Sequence, residues 1–126
     1  MANTLYDSAR QGFLEAQINW LTDTMKVLLV DSGAYTPNVS THQFLADIPI
    51  SSRIAGPVTL TSKTTTGGAA DAADVTFTSV SGASIEMIVI YKDTGTEATS
   101  PLIAMIDTAT GLPVTPNGGD IIVTWD

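Results

Sequence analysis

The chain has no cysteine. That excludes disulfides, thiolate nucleophiles and every cysteine-ligated metal site. It is also poor in positive charge: five Lys and Arg stand against 13 Asp and Glu, a formal charge of −8. Arg10, Lys26, Arg53, Lys63 and Lys92 are scattered and form no basic cluster to neutralise phosphates. Nucleic acid and anionic membrane are therefore not expected partners. No apolar run approaches the ~20 residues that span a bilayer. The opening Met1-Ala-Asn-Thr4 lacks the basic start and apolar block of a secretory signal. The expectation is a protein made in a cytoplasm and not exported by a cleaved signal.

Apolar residues are plentiful. They make up 44% of 126 residues, which fits one folded domain spanning 1–126. At this length folding buries about two thirds of the unfolded surface, so a core forms without staples. The acidic excess keeps free copies soluble and apart, and it favours a partner with a basic surface.

The clearest pattern lies in the second half. Apolar runs at 85–91, 102–106 and 121–125 are short and bounded by turn chemistry at Asp93-Thr-Gly95, Gly111 with Pro113, and Asn117-Gly-Gly-Asp120. Runs of this length between Gly, Pro and Asn signals are β-strands that return on one another. Residues 25–31 read as a strand buried on both faces, 58–64 as a surface strand, and 75–80 as an alternating strand. Gly67-Gly68 breaks the chain, and 69–74 reads as a loop. At the start, Asn3 or Thr4 caps a helix over 5–16, with Tyr6, Ala9, Phe13 and Leu14 at helical spacing and Gly12 weakening it. Segment 1–18 is thus a helical or extended arm. A one- to two-turn helix over 41–46 is expected, capped by Ser40 or Thr41. The sum is six or seven strands and one or two short helices. The fold class is mainly β: an antiparallel β-sandwich or a jelly-roll-like barrel. No strand–helix–strand unit recurs, so a doubly wound fold is not expected.

The residues that carry chemistry elsewhere have plainer readings here. His42 is the only histidine, and a Ser-His-Asp triad is a matter of geometry, not abundance. It reads as a capping or surface residue. The pairs Asp71 with Asp74 and Asp23 with Asp31 lack the aromatic platform of a glycosidase site. Segments 93–97 and 117–120 are oxygen-rich but miss calcium-loop spacing, and turn chemistry accounts for both. Gly67-Gly68 is followed by no Lys-Ser/Thr pair, so it is no phosphate loop. Trp20, Tyr35 and Trp125 read as core or interface anchors, with the two tryptophans packing near each other. No catalytic residue, cofactor or metal is expected.

Several long strings carry a resemblance. They are NTLYDSARQGFL (3–14), INWLTDTMKVLLVD (18–31), YTPNVSTHQFLADI (35–48), AADVTF (72–77), VIYKDTG (89–95), LIAMIDTATGLPVTPNGGD (102–120) and VTWD (123–126). With them the chain resembles a family of small structural proteins of tailed bacteriophages. Members of that family often run a few residues past the WD. The resemblance implies a non-enzymatic virion component made in the bacterial cytoplasm. Its implied role is a capsid decoration, or cement, protein on the outer surface of the shell. The implied partner is the major capsid protein, with self-association as a homotrimer. A tail or head–tail joining protein is the alternative. Tyr6, Phe13, Leu14, Tyr35, Phe44 and Leu45 are the candidate interface residues, because they are apolar and lie on segments unable to hold a structure alone.

Overall fold

A computed structural model of the chain describes residues 3–125. Met1 and Ala2, on which the signal-sequence reading rests, and the closing Asp126 lie outside the described residues. The fold is mainly β, with antiparallel sheets and one short helix. The described residues form nine strands: β1 (Thr4–Leu5), β2 (Met25–Val30), β3 (Arg53–Thr59), β4 (Thr64–Thr66), β5 (Ala69–Asp71), β6 (Val75–Phe77), β7 (Met87–Lys92), β8 (Leu102–Ile106) and β9 (Ile121–Val123). The helix α1 is Asp7–Leu14, and one-turn 3₁₀ segments sit at Leu45–Asp47, Ile50–Ser52 and Glu97–Thr99.

Five strands form the main sheet in the order β1-β8-β7-β2-β3. Strands β2 and β7 lie at its middle, paired residue for residue from Met25–Lys92 to Val30–Met87. Nearly every side chain of both is buried, so the sheet is covered on its two faces. Continuous apolar runs, not alternating ones, are what such strands require. The register puts Val27, Leu29, Ile88 and Ile90 on a first face, and Leu28, Val30, Met87 and Val89 on a second.

The second face is covered by Tyr6 and by the excursion between β2 and β3. Arg53 shares that face with Val30. Its guanidinium donates to the Leu45 and Ile48 carbonyls at 2.7–3.2 Å and to both carboxylate oxygens of Glu97. One side chain thus ties the Leu45–Asp47 turn, the Glu97–Thr99 turn and the sheet edge together. The first face meets the β6–β9 ladder, a two-stranded sheet of its own. The strands do not close into a barrel among the described residues. The edge strand β3 contains Pro57, which has no N–H for an outer neighbour. The opposite edge, β1, pairs over two residues alone.

Several local expectations change. The helix starts at Asp7, not Leu5, and Tyr6 occupies its N-cap with no side-chain cap bond. Asn3 is used elsewhere: its Oδ1 accepts the Asp107 and Thr108 N–H groups and ties the N-terminus to the end of β8. Residues 41–46 form no α-helix. The segment entering β8 holds 43–44 extended, through Leu102 N–H to the Gln43 carbonyl and Leu45 N–H to the Ser100 carbonyl, and a one-turn 3₁₀ segment begins at Leu45. The strand expected at 58–64 begins earlier, at Arg53, and ends at Thr59. The loop expected at 69–74 contains β5, joined to β4 by a two-residue turn. Gly67 and Gly68 both have positive φ (59° and 82°), which a type I′ hairpin turn demands at both positions. The last strand does not return on its neighbour: β9 pairs with β6, and 117–120 instead hydrogen-bonds Val80.

Gly12 sits inside α1, where glycine costs about 1 kcal/mol against alanine. Packing explains it. A Cβ there would stand 2.7 Å from Cδ1 and 2.9 Å from Cγ1 of the buried Ile18. Gly12→Ala is therefore expected to lower stability by about 1–3 kcal/mol through overpacking, against the gain that helix propensity alone implies. Urea unfolding at neutral pH measures the difference.

Candidate functional site

The six candidate interface residues divide by burial. Tyr6, Tyr35 and Leu45 are core residues that a partner cannot touch on this subunit as folded. Phe13 and Phe44 are a little over one third exposed, and Leu14 is 87% exposed. The buried tyrosines have a structural task. Tyr6 Oη lies 2.9 Å from Tyr35 Oη, and Tyr35 Oη lies 3.1 Å from His42 Nδ1. His42 Nδ1 also accepts the Asn38 N–H at 3.1 Å, and its ring stacks on Tyr35 with centroids 5.4 Å apart. Burial raises both tyrosine hydroxyls above their ordinary range, so they stay neutral. This chain of contacts fastens the 31–52 excursion over the second face.

Carboxylates are engaged mostly in local geometry. Asp71 Oδ1 accepts the Ala72 N–H and Asp74 Oδ1 the Trp125 N–H. Asp23 accepts the Asn19 N–H and pairs with Lys92 at 3.2 Å. Asp31 accepts the Gly33 N–H, while Asp93 accepts that of Gly95 and pairs with Lys26 at 2.9 Å. Among the described residues no group of three or more His, Cys, Asp or Glu is placed to hold a metal ion. No helix among them is long and apolar enough to cross a membrane.

The feature that stands out is an apolar groove of about 690 Å³ on the first face. Ile90 and Ala104 belong to that face by register, and Ile103 and Ile106 join them in the lining. Ile18, Leu60 and the β4–β5 hairpin supply further lining, together with both tryptophans of the chain, Trp20 and Trp125. Trp20 Nε1 donates to the Asp71 carbonyl at 3.3 Å. Trp125 Nε1 is buried and has no partner among the described residues. Leu5 and Phe13 are each 37% exposed and Leu21 51% exposed at this groove. Among the described residues Asp71 is the one charged residue in the lining. The two tryptophans were legible as anchors. Leu5 and Leu21 were not, since nothing in the periodicity around them marks a side chain left in water. A second depression of about 740 Å³ separates β9 from the 109–112 loop, with Ile122 65% exposed beside it.

Neither protein-family models nor curated protein sequences give a match to the chain.

Asp47 shows how the excursion depends on pH. Its Oδ2 accepts the Phe44 and Gln43 N–H groups at 3.0 and 2.8 Å. Those bonds hold its carboxyl below the usual carboxylate range. Lys26 does the same for Asp93, and the Ser84 hydroxyl for Glu86. A depressed folded value stabilises the fold above the ordinary carboxylate range and ceases to as pH falls through the folded value. Stability is therefore expected to be flat between about pH 5 and about pH 9 and to decline below about pH 4. Asp47→Ala is expected to cost about 1 kcal/mol at pH 7 and less at pH 3. Urea midpoints at the two pH values check both.

Proposed function

We propose that the chain is a non-enzymatic structural protein of a tailed-phage virion, and specifically a capsid decoration protein. It would bind the outer surface of the assembled shell and stabilise it, with the major capsid protein as partner and a homotrimer as the arriving unit. The observation that carries this reading is an open apolar groove, edged by Leu5, Phe13 and Leu21, on a chain of net charge −8. A contiguous exposed apolar patch on a small soluble fold is the usual mark of a protein contact. Strong acidity holds free copies apart and steers them to a basic surface. The phage-family resemblance of the strings at 3–14, 18–31 and 102–120 supplies the virion context. The β6–β9 ladder over the first face supports reading the architecture as a sandwich.

A decoration protein does no bond-making chemistry. It buries surface at subunit junctions that already exist in the shell. Three-fold positions in such a shell would match a closed trimer.

Co-sedimentation with shells of the parent phage tests the proposal. Saturable binding to shells lacking the protein is expected, with none to shells already carrying it, and light scattering of the free protein should give a trimer mass. Absence of binding to both, together with a ring-sized mass, would move the assignment to a tail or head–tail joining component.

A further inference from the structure

We propose that the first-face groove is a docking site for an extended apolar segment of a partner protein flanked by lysine or arginine. The virion reading supplies the identity of the partner; the site itself is argued from the groove.

Burial comes first. The middle of the main sheet is covered on both faces, yet Ile90, Ala104 and Ile106 line an open cavity. Its volume, about 690 Å³, falls within the range of sites that hold ligands or peptide side chains. Leu5, Phe13 and Leu21 continue the apolar surface outward.

Hydrogen bonding comes second. An indole N–H is a donor only, and a buried donor left unpaired costs about 1–3 kcal/mol. Trp20 Nε1 is paired within the chain, whereas Trp125 Nε1 is buried without a partner among the described residues. Trp125 is held in place from its backbone, whose N–H donates to Asp74. Neither indole therefore offers an N–H to the groove, and what both present to an occupant is apolar ring.

Shape and charge choose the occupant. A helix with its side chains is about 10–12 Å across, so this volume seats little more than one turn. An extended segment sends every second side chain to the same face and presents its carbonyls sideways. Among the described residues the groove lining contains Asp71 and no Lys or Arg, on a chain of net charge −8. A second copy of this chain would bring the same negative charge to the groove, so the proposed trimer contact is assigned to another part of the surface. A basic-flanked segment is attracted.

Both tryptophans of the chain line the groove, so intrinsic fluorescence reports its occupancy. The probes are two synthetic peptides with the same Val-Leu-Val-Leu-Val centre, one flanked by two lysines at each end and one by two glutamates. The lysine peptide is expected to shift the emission saturably, and the glutamate peptide to bind at least about tenfold more weakly. Phe13→Glu and Leu21→Glu should each weaken the lysine peptide at least about tenfold, with little change in melting temperature. Ile122→Glu, at the other depression, should leave it unchanged. Equal binding of the two peptides would overturn the proposal. So would tight binding of dodecanoate without binding of the lysine peptide, or a drop in solution mass on Phe13→Glu, which would make the occupant a small apolar ligand or a second copy. Shell binding separates the two proposals. If Phe13→Glu and wild type co-sediment equally with shells, the docking site falls and the virion role stands. If wild type ignores shells yet binds the lysine peptide, the virion role falls and the docking site stands.

Discussion

Strands β2 and β7 are buried on both faces, and the rest of the chain is arranged around that constraint. An antiparallel sheet commonly leaves one face to water. Here neither face can be left, because Leu28, Val30, Met87 and Val89 point one way and Val27, Leu29, Ile88 and Ile90 the other. The described residues contain a single eight-residue α-helix to serve as cover. Loops and short ladders must do the remainder. Arg53 is the means on one side, since its guanidinium satisfies carbonyls of the excursion that crosses the second face. The Tyr6–Tyr35–His42 chain closes the same layer from the N-terminal end. On the first face the β6–β9 ladder covers one end and the tryptophans line the other, and the groove is what remains between the pieces.

The legible part of the fold is the part governed by local apolar pattern. The runs at 25–31, 85–92 and 102–107 are strands within a residue or two, because burial on both faces leaves a nearly continuous apolar string. The illegible parts depend on distant partners. Residues 43–44 lie in a stretch with helical signals but are held extended by the segment entering β8, more than fifty residues away. Ala69–Asp71 has no apolar pattern and becomes a strand because the Gly67-Gly68 turn brings it back onto Thr64–Thr66. Asn117-Gly118 carries a hairpin signal, yet its backbone partner is Val80. The candidate site was half legible. Phe13 is apolar and exposed beside the groove. Tyr6 and Tyr35 are equally apolar by type but are consumed by the core, a distinction that only tertiary packing makes.

Acidity and apolarity have separate tasks in the proposed role. The charge of −8 acts at a distance and governs which surfaces the protein approaches. The groove acts at contact and governs what stays bound. A protein that must remain soluble as free copies and then bind tightly to a repeating surface needs both. The fold keeps them compatible by setting the apolar residues within a concavity and not on a flat face, where copies would adhere to one another.

A cryo-electron microscopy reconstruction of shells carrying the protein would test the central claim most directly, by resolving what lies against the first face. The account predicts an extended segment of the shell subunit along the groove, covering Phe13, Trp20 and Trp125, with basic side chains near Asp71. A groove open to solvent, with the shell contact made instead around Ile122 or Ile50, would contradict it.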